Sequence, residues 1–347
     1  MDQWQVRQLL FYSLMPLSWL YAALVLLRRA AYKRNWLKTT HLPTPVIVVG
    51  NIFVGGTGKT PVVIALIQDL LKLGKQPGLV SRGYGVNIHT SSPARIGHSS
   101  TTQATLGSHY FGDEPTLIAN LTGIPIAVHP KRVKAAQSLV KAHPEIDILI
   151  CDDGLQHLAL GRDVEILVQD HRGQGNGLTF PAGPLREPGG RLNQVDAVLT
   201  RSPNWATTLS VPHTSNSVRP YLTQFTVKID YFQNLLNPLN KLTPQTFIEM
   251  IQSHPSRKIC ALAAIGLPDR FFQELQNLGL NLEQTIALPD HALMIEADFN
   301  KIKADEIIIT AKDAIKLKNI SDQRIWVAHT QLKWLDAQFS QWVLKQC

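Results

Sequence analysis

Residues 54–61 read Val-Gly-Gly-Thr-Gly-Lys-Thr-Pro. They follow an apolar run, Pro45 to Phe53, and precede apolar positions at helical spacing: Val62, Val63, Leu66, Ile67 and Leu70. A buried strand, a glycine-rich turn and a helix in that order make a cradle for phosphates, because the turn's N–H groups and the positive end of the helix both face the anion. Lys59 is expected to reach the β- and γ-phosphates and Thr60 to hold Mg²⁺, with Phe53, Val54, Gly55, Gly56, Thr57 and Gly58 completing the ATP-binding loop. The usual spacing has glycine where Phe53 stands, and Gly55 and Gly56 are the nearby substitutes.

Phosphoryl transfer also needs a metal, a base for the acceptor's proton and cations for the moving charge. Asp152 and Asp153 end the apolar run 146–151, where a strand delivers a carboxylate to the metal beside Thr60. The same pair could instead cap the next helix. Asp113 and Glu114 precede Pro115, which suits either a helix N-terminus or a catalytic base. Asp290-His291 could orient an imidazole for acid–base work, although a lone surface histidine has the same pattern. Arg82, at a strand end, and Arg186-Glu187, in a Gly/Pro-rich loop, could bind oxyanions and add a metal ligand, or form structural ion pairs.

These residues need a scaffold, and the alternation of apolar runs supplies one. Strands are expected at 45–53, 78–84, 124–129, 146–151, 164–169 and 197–201, with helices at 58–73, from near Asp113, and at 131–142. Alternation of this kind implies right-handed βαβ units and a parallel sheet, with ligands at the carboxyl ends of the strands. Residues 86–110 read as a long loop, and 171–191 as a loop too long to be mere connection. A second alternation begins at Lys258, with a helix at 268–278 and strands at 306–310 and 324–328. The expected organisation is an N-terminal segment 1–40, a P-loop lobe 41–201, a linker or β-ribbon 202–230, and a second, smaller lobe 231–347. The fold class is α/β.

The 347 residues carry a net charge of +8, and between residues 3 and 112 the only acid is Asp69. A basic front third favours an anionic partner. Residues 9–27 carry no charge and are followed by Arg28, Arg29, Lys33, Arg34 and Lys38. This pattern favours a membrane anchor, spanning the bilayer or lying in its interface, over a cleaved signal peptide or a buried core helix. The basic cluster then places the body on the cytoplasmic face of an anionic leaflet. The basic residues sit beside an apolar segment rather than interleaving with aromatics, which argues against a nucleic-acid-dependent NTPase. The absence of Asn-Lys-x-Asp argues against a GTP switch. Three distant cysteines suit a reducing compartment, and the twelve histidines show no zinc spacing.

Taken together, the blocks Gly55–Pro61, Ser81–Gly85, Gly112–Pro115, Asp152–His157, Gly175–Gly177, Pro181–Pro188, Arg270–Phe272, Pro289–His291 and Lys312–Ala314 resemble the tetraacyldisaccharide 4′-kinase family of Gram-negative bacteria. The resemblance spans most of the chain. It implies transfer of the γ-phosphate of ATP to the 4′-hydroxyl of a tetraacylated disaccharide 1-phosphate in lipid A biosynthesis, at the inner membrane and with no nucleic-acid or protein partner. It implies two α/β/α lobes joined by a β-ribbon, with the site between them. Asp113 matches the family's general base and His291 its partner from the second lobe. Lys59 and Thr60 match phosphate and Mg²⁺ ligands, and Asp152, Asp153 and Glu187 match the acids of the metal region. His157, Arg186, Arg82, Glu114 and Asn176 match residues of the cleft. Three positions depart from the pattern: Ala292 stands where a second histidine is usual, Ala311 where a glutamate is usual, and Phe180 where a leucine is usual.

Overall fold

In the computed structural model, residues 3–99, 106–202, 220–254, 256–290, 292–317 and 320–347 are described. A long helix α1 (Gln3–Lys33) comes first. The first half of the chain then contributes strands β1 (Val46–Gly50), β2 (Pro77–Ser81), β3 (Arg95–His98), β4 (Pro125–Val128), β5 (Ile148–Asp152), β6 (Val164–Gln169) and β7 (Ala197–Arg201). Helices α2 (Lys59–Lys72), α3 (Ser108–Phe111), α4 (Asp113–Thr122) and α5 (Arg132–Ala142) lie between them. The second half adds β8 (Tyr221–Asn234), β9 (Lys241–Leu242), β10 (Ile259–Ala263), β11 (Gln284–Ala287), β12 (Glu306–Thr310) and β13 (Ile325–Trp334). Its helices are α6 (Pro244–Gln252), α7 (Pro268–Asn277), α8 (Glu296–Asn300), α9 (Ala311–Ala314) and α10 (Phe339–Gln346).

The strands join in one sheet, ordered β11-β10-β12-β13-β8-β7-β6-β1-β5-β2-β4-β3, with β9 paired to β8. Within each half the strands run parallel, except the edge strand β3 and, in the second half, β8 and β9. All five residues of β1 and of β5 are buried, as sheets covered by helices on both faces require. Strand β8 joins the halves: it runs parallel to β7 and antiparallel to β13. The stretch expected as a linker or ribbon thus ends in a 14-residue strand, while 203–219 lie outside the described residues.

Each half has its own apolar core on both faces of the sheet. The C-terminal stretch does not stay with the second half. Phe339 and Val343 of α10 are fully buried in the core around α2, where Trp334 Nε1 and Ser340 Oγ donate to Asp69 at 2.8 and 2.7 Å. The single acid of the basic front third therefore ties the chain's end to its beginning. The stretch read as a loop at 86–110 contains β3 and α3. A strand of Arg-Ile-Gly-His offers little alternation to read, and β4 alone pairs with it.

Among the described side chains, helix α1 docks along one side. Ser18 is buried; its hydroxyl donates to Thr179 O and accepts from Ala182 N, each at 2.8 Å. Tyr21 Oη donates to Arg186 O at 3.1 Å. Its outer side exposes Leu17, Trp19, Leu20, Leu24 and Leu27, and residues 12–33 are long and apolar enough to cross a membrane by length and composition.

Candidate active site

The segment expected to cradle phosphate folds as strand, glycine-rich turn and helix. Strand β1 is buried, the turn at Gly55 and Gly58 has positive φ of 99° and 88°, and α2 starts at Lys59 without a side-chain cap. Only glycine adopts those two conformations at low cost. The loop is latched from below: Asn51 Nδ2 donates to Gly55 O at 3.2 Å and to Thr57 Oγ1 at 3.0 Å. Phe53 replaces glycine at no cost to the turn. Its ring is buried in the core, Leu185 pairs with it, and the Arg172 guanidinium lies over its face at 4.3 Å. Thr57 is also buried, so the residues presented to a ligand are Val54, Gly55, Gly56, Gly58, Lys59 and Thr60.

Strand β5 delivers two acids of opposite condition. Asp153, at φ 49°, faces Lys59 Nζ at 3.3 Å and Arg186 at 3.0 Å. Burial alone would raise its pKa, but Lys59 and Arg186 outweigh that and hold it below the ordinary carboxylate value. Asp152 is buried, and its Oδ1 has no hydrogen-bond partner. Burial first, then the nearby Glu114 and Asp153, push its pKa up to about 7. A crowded acid with an orphaned oxygen is suited to a cation. Among the described residues no three acid, histidine or cysteine side chains gather to cage a metal. Mg²⁺ commonly takes one or two protein oxygens and completes its shell with water and phosphate, so Asp152 with Thr60 fits that ion.

Glu187, expected among the metal ligands, is engaged elsewhere. It is buried; Oε1 accepts from Gln156 Nε2 at 2.7 Å, and Oε2 faces Arg29 and Arg191 at 3.6 and 3.5 Å. It anchors Gln156 and α1 beneath the site. Asn176 is exposed and closes its own turn, donating to Ala182 O and accepting from Leu178 N. It is not among the residues lining the cleft. His157 does line it; burial, then the charges of Arg132 and Arg82, lower its pKa to about 4 and leave a neutral imidazole at neutral pH.

The cleft, about 1000 Å³, runs between the halves from the phosphate loop to β8 and β13. Arg82, Glu114, His157 and Arg186 line the first-half side, and Asp290 and Lys312 the second. Lys312 Nζ reaches Glu114 at 3.3 Å and Asp290 at 3.5 Å. Asp113 opens α4 after Gly112, whose φ is 92° and whose added Cβ would meet Tyr84 O at 2.7 Å. Close backbone packing thus fixes where the acid pair starts. His291 lies outside the described residues.

Several cleft residues carried no motif. Arg132, first in α5, is buried behind the site with its Nε unpartnered. Arg201, at the end of β7, pairs with Glu274 at 2.8 Å, and burial, then Arg270, lower its pKa to about 10. Its position at the carboxyl end of a parallel strand was the available signal. Asn51 acts through the folded chain alone, as the latch beneath the loop.

The tetraacyldisaccharide-1-P 4′-kinase family profile matches residues 10–347. The chain belongs to this family. Among curated members, the tetraacyldisaccharide 4′-kinase of Bordetella parapertussis is 42% identical over 98% of this chain and 94% of its own length. That of Polynucleobacter asymbioticus is 39% identical over 98% and 93%. A crystal structure of LpxK from Aquifex aeolicus, described as an "apo" form in complex with ATP, matches with a TM-score of 0.75 at 26% identity, covering 97% of this chain and 99% of that one. Tetraacyldisaccharide 4′-kinases therefore share both sequence and overall fold with this chain, and the family read from nine sequence blocks is the one the whole-chain comparison returns.

Proposed function

We propose that this chain transfers the γ-phosphate of ATP to the 4′-hydroxyl of tetraacyldisaccharide 1-phosphate, giving the 1,4′-bisphosphate (lipid IVA). The observation that carries this reading is the cleft itself. A glycine-rich phosphate loop, the buried Asp152 with one unbonded oxygen, and Glu114 ion-paired to Lys312 of the other half all border one cavity, and Asp113 precedes Glu114 at the start of α4. Membership of the kinase family over residues 10–347 supplies the acceptor.

In this reading the loop 54–60 and Lys59 hold the β- and γ-phosphates, and Asp153 keeps Lys59 aimed at them. Thr60 and Asp152 would hold Mg²⁺, whose charge would offset that of the phosphate oxygens when bound. Asp113 removes the acceptor's proton as its oxygen attacks the γ-phosphorus; the bond to ADP breaks and the proton ends on the carboxylate. His291, next to Asp290, orients or relays that proton. Arg186 and Arg82 stabilise charge on the transferring group.

The exposed apolar side of α1, with Trp19 among leucines and the basic residues 28–38 beyond it, suits a helix lying in the interface of an anionic membrane. Its inner side is already bonded to the 179–186 loop, which favours lying on the cytoplasmic surface of the inner membrane over crossing it. An acylated acceptor would then reach the cleft from the bilayer. Asp113→Ala and His291→Ala, assayed separately with the lipid acceptor, are each expected to lower kcat by about 10²-fold or more. Near wild-type turnover in both would remove these two residues from the mechanism.

A further inference from the structure

Lys312 is one of the cations paired across the cleft, as Arg201 is with Glu274. It contacts Glu114, in the first turn of α4, and Asp290, next in sequence to His291. Its side chain is only 17% exposed. Burial alone would lower its pKa, but Glu114 and Asp290 outweigh this and raise it, so it stays charged at neutral pH.

The platform that carries Lys312 is rigid. Thr310 Oγ1 accepts from Asp313 N at 3.1 Å and donates to Asp313 Oδ2 at 2.7 Å. Asp313 is fully buried; it also accepts from Ala264 N at 3.2 Å and from Lys316 Nζ at 2.8 Å. A buried network with its carboxylate bonded on both oxygens leaves the turn one geometry. The other end is equally constrained, because Gly112 packs against Tyr84 O. A second contact joins the same two regions: Ser108 Oγ donates to Ile315 O at 3.3 Å.

We infer that Lys312 is a positioning residue: an electrostatic latch that holds the two halves in register by fixing Asp290 of the second half against Glu114 of the first. It acts through Glu114 and Asp290 and not on the nucleotide. Its catalytic consequence rests on the kinase reading above, while its effect on the spacing of the halves does not.

The test uses the full-length protein and the variants K312M and K312R. With ATP and the lipid disaccharide acceptor, K312M is expected to lose about 10- to 100-fold in kcat, the loss that misplacing a reacting group produces. Its KM for ATP is expected to stay within about twofold of wild type. K312R, which keeps the charge, is expected to recover most of the rate. Small-angle scattering without ligands is expected to show a larger radius of gyration for K312M than for wild type, with K312R close to wild type. Unchanged kcat in K312M, or a KM for ATP that rises in step with the loss of kcat, overturns the latch. Unchanged scattering overturns it too. If the wild type phosphorylates no lipid disaccharide, the kinase reading fails and the scattering comparison still decides the latch.

Discussion

Two turns of this molecule share a pattern, threonine followed two residues later by lysine, and use it in opposite ways. In the second half, Thr310 caps α9 with its own hydroxyl and Asp313 fills the space behind. In the first half, Thr57 turns inward to Asn51, and Gly58 takes the cap position of α2 in a left-handed conformation with no side-chain cap. The closed turn leaves its helix end satisfied, so Lys312 serves as a structural cation aimed across the cleft. The open turn leaves N–H groups for a ligand, so Lys59 serves phosphate. A helix of fourteen residues with six buried apolar positions tolerates an uncapped start because core packing holds it.

The largest expected effect separates the two lysines. Lys59→Ala removes the cation that meets the phosphates and should lower kcat/KM for ATP by about 10²- to 10³-fold; a loss confined to the lipid substrate's KM would break the distinction. The second effect concerns Asp152. Its pKa is raised in the folded state to about 7, so between its unfolded value and about 7 the folded protein holds a proton the unfolded chain has released. That contribution to stability is present at low pH and lost as pH rises through this window. Asp152→Asn should therefore melt higher than wild type, with the difference growing from pH 4 to 7 and levelling above. Adding magnesium with ATP should stabilise wild type more than the variant. A difference that shrinks as pH rises would contradict the assignment. The smallest effect belongs to the closed turn. Thr310→Val should cost about 1 kcal/mol of stability in denaturant unfolding, as lost caps do, with KM for ATP unchanged. A loss of ATP binding there would mean that the second turn also serves the nucleotide.

The sequence made one side of the cleft easier to read than the other. Val46 to Gly50, the glycines and Lys59-Thr60 are contiguous and chemically particular, so spacing alone named the phosphate loop. Asp152 and Asp153 stood at the end of an apolar run, but which one lacked a partner depended on Arg186 from a distant loop. Glu187 looked like a metal ligand because an acid beside arginine in a glycine-rich loop has that pattern; Arg29, Arg191 and Gln156 engage it only in the folded chain. Strand β8 was hard to see because it changes neighbours along its length: parallel to β7, then antiparallel to β13. Its burial accordingly follows no simple alternation. Lys312 was visible only as part of a block, since its two partners lie 198 residues upstream and in the segment between β11 and α8.

The central claim is that one cleft between the halves moves phosphate from ATP to a lipid disaccharide. The direct measurement is transfer of ³²P from γ-labelled ATP to purified tetraacyldisaccharide 1-phosphate in mixed micelles, with the position of the label mapped on the product. The account predicts a labelled bisphosphate carrying the new phosphate at the 4′ position, formed by wild type and about 10²-fold or more slowly by Asp113→Ala. ATP consumption that leaves the lipid unlabelled, or label at any other hydroxyl, would contradict it.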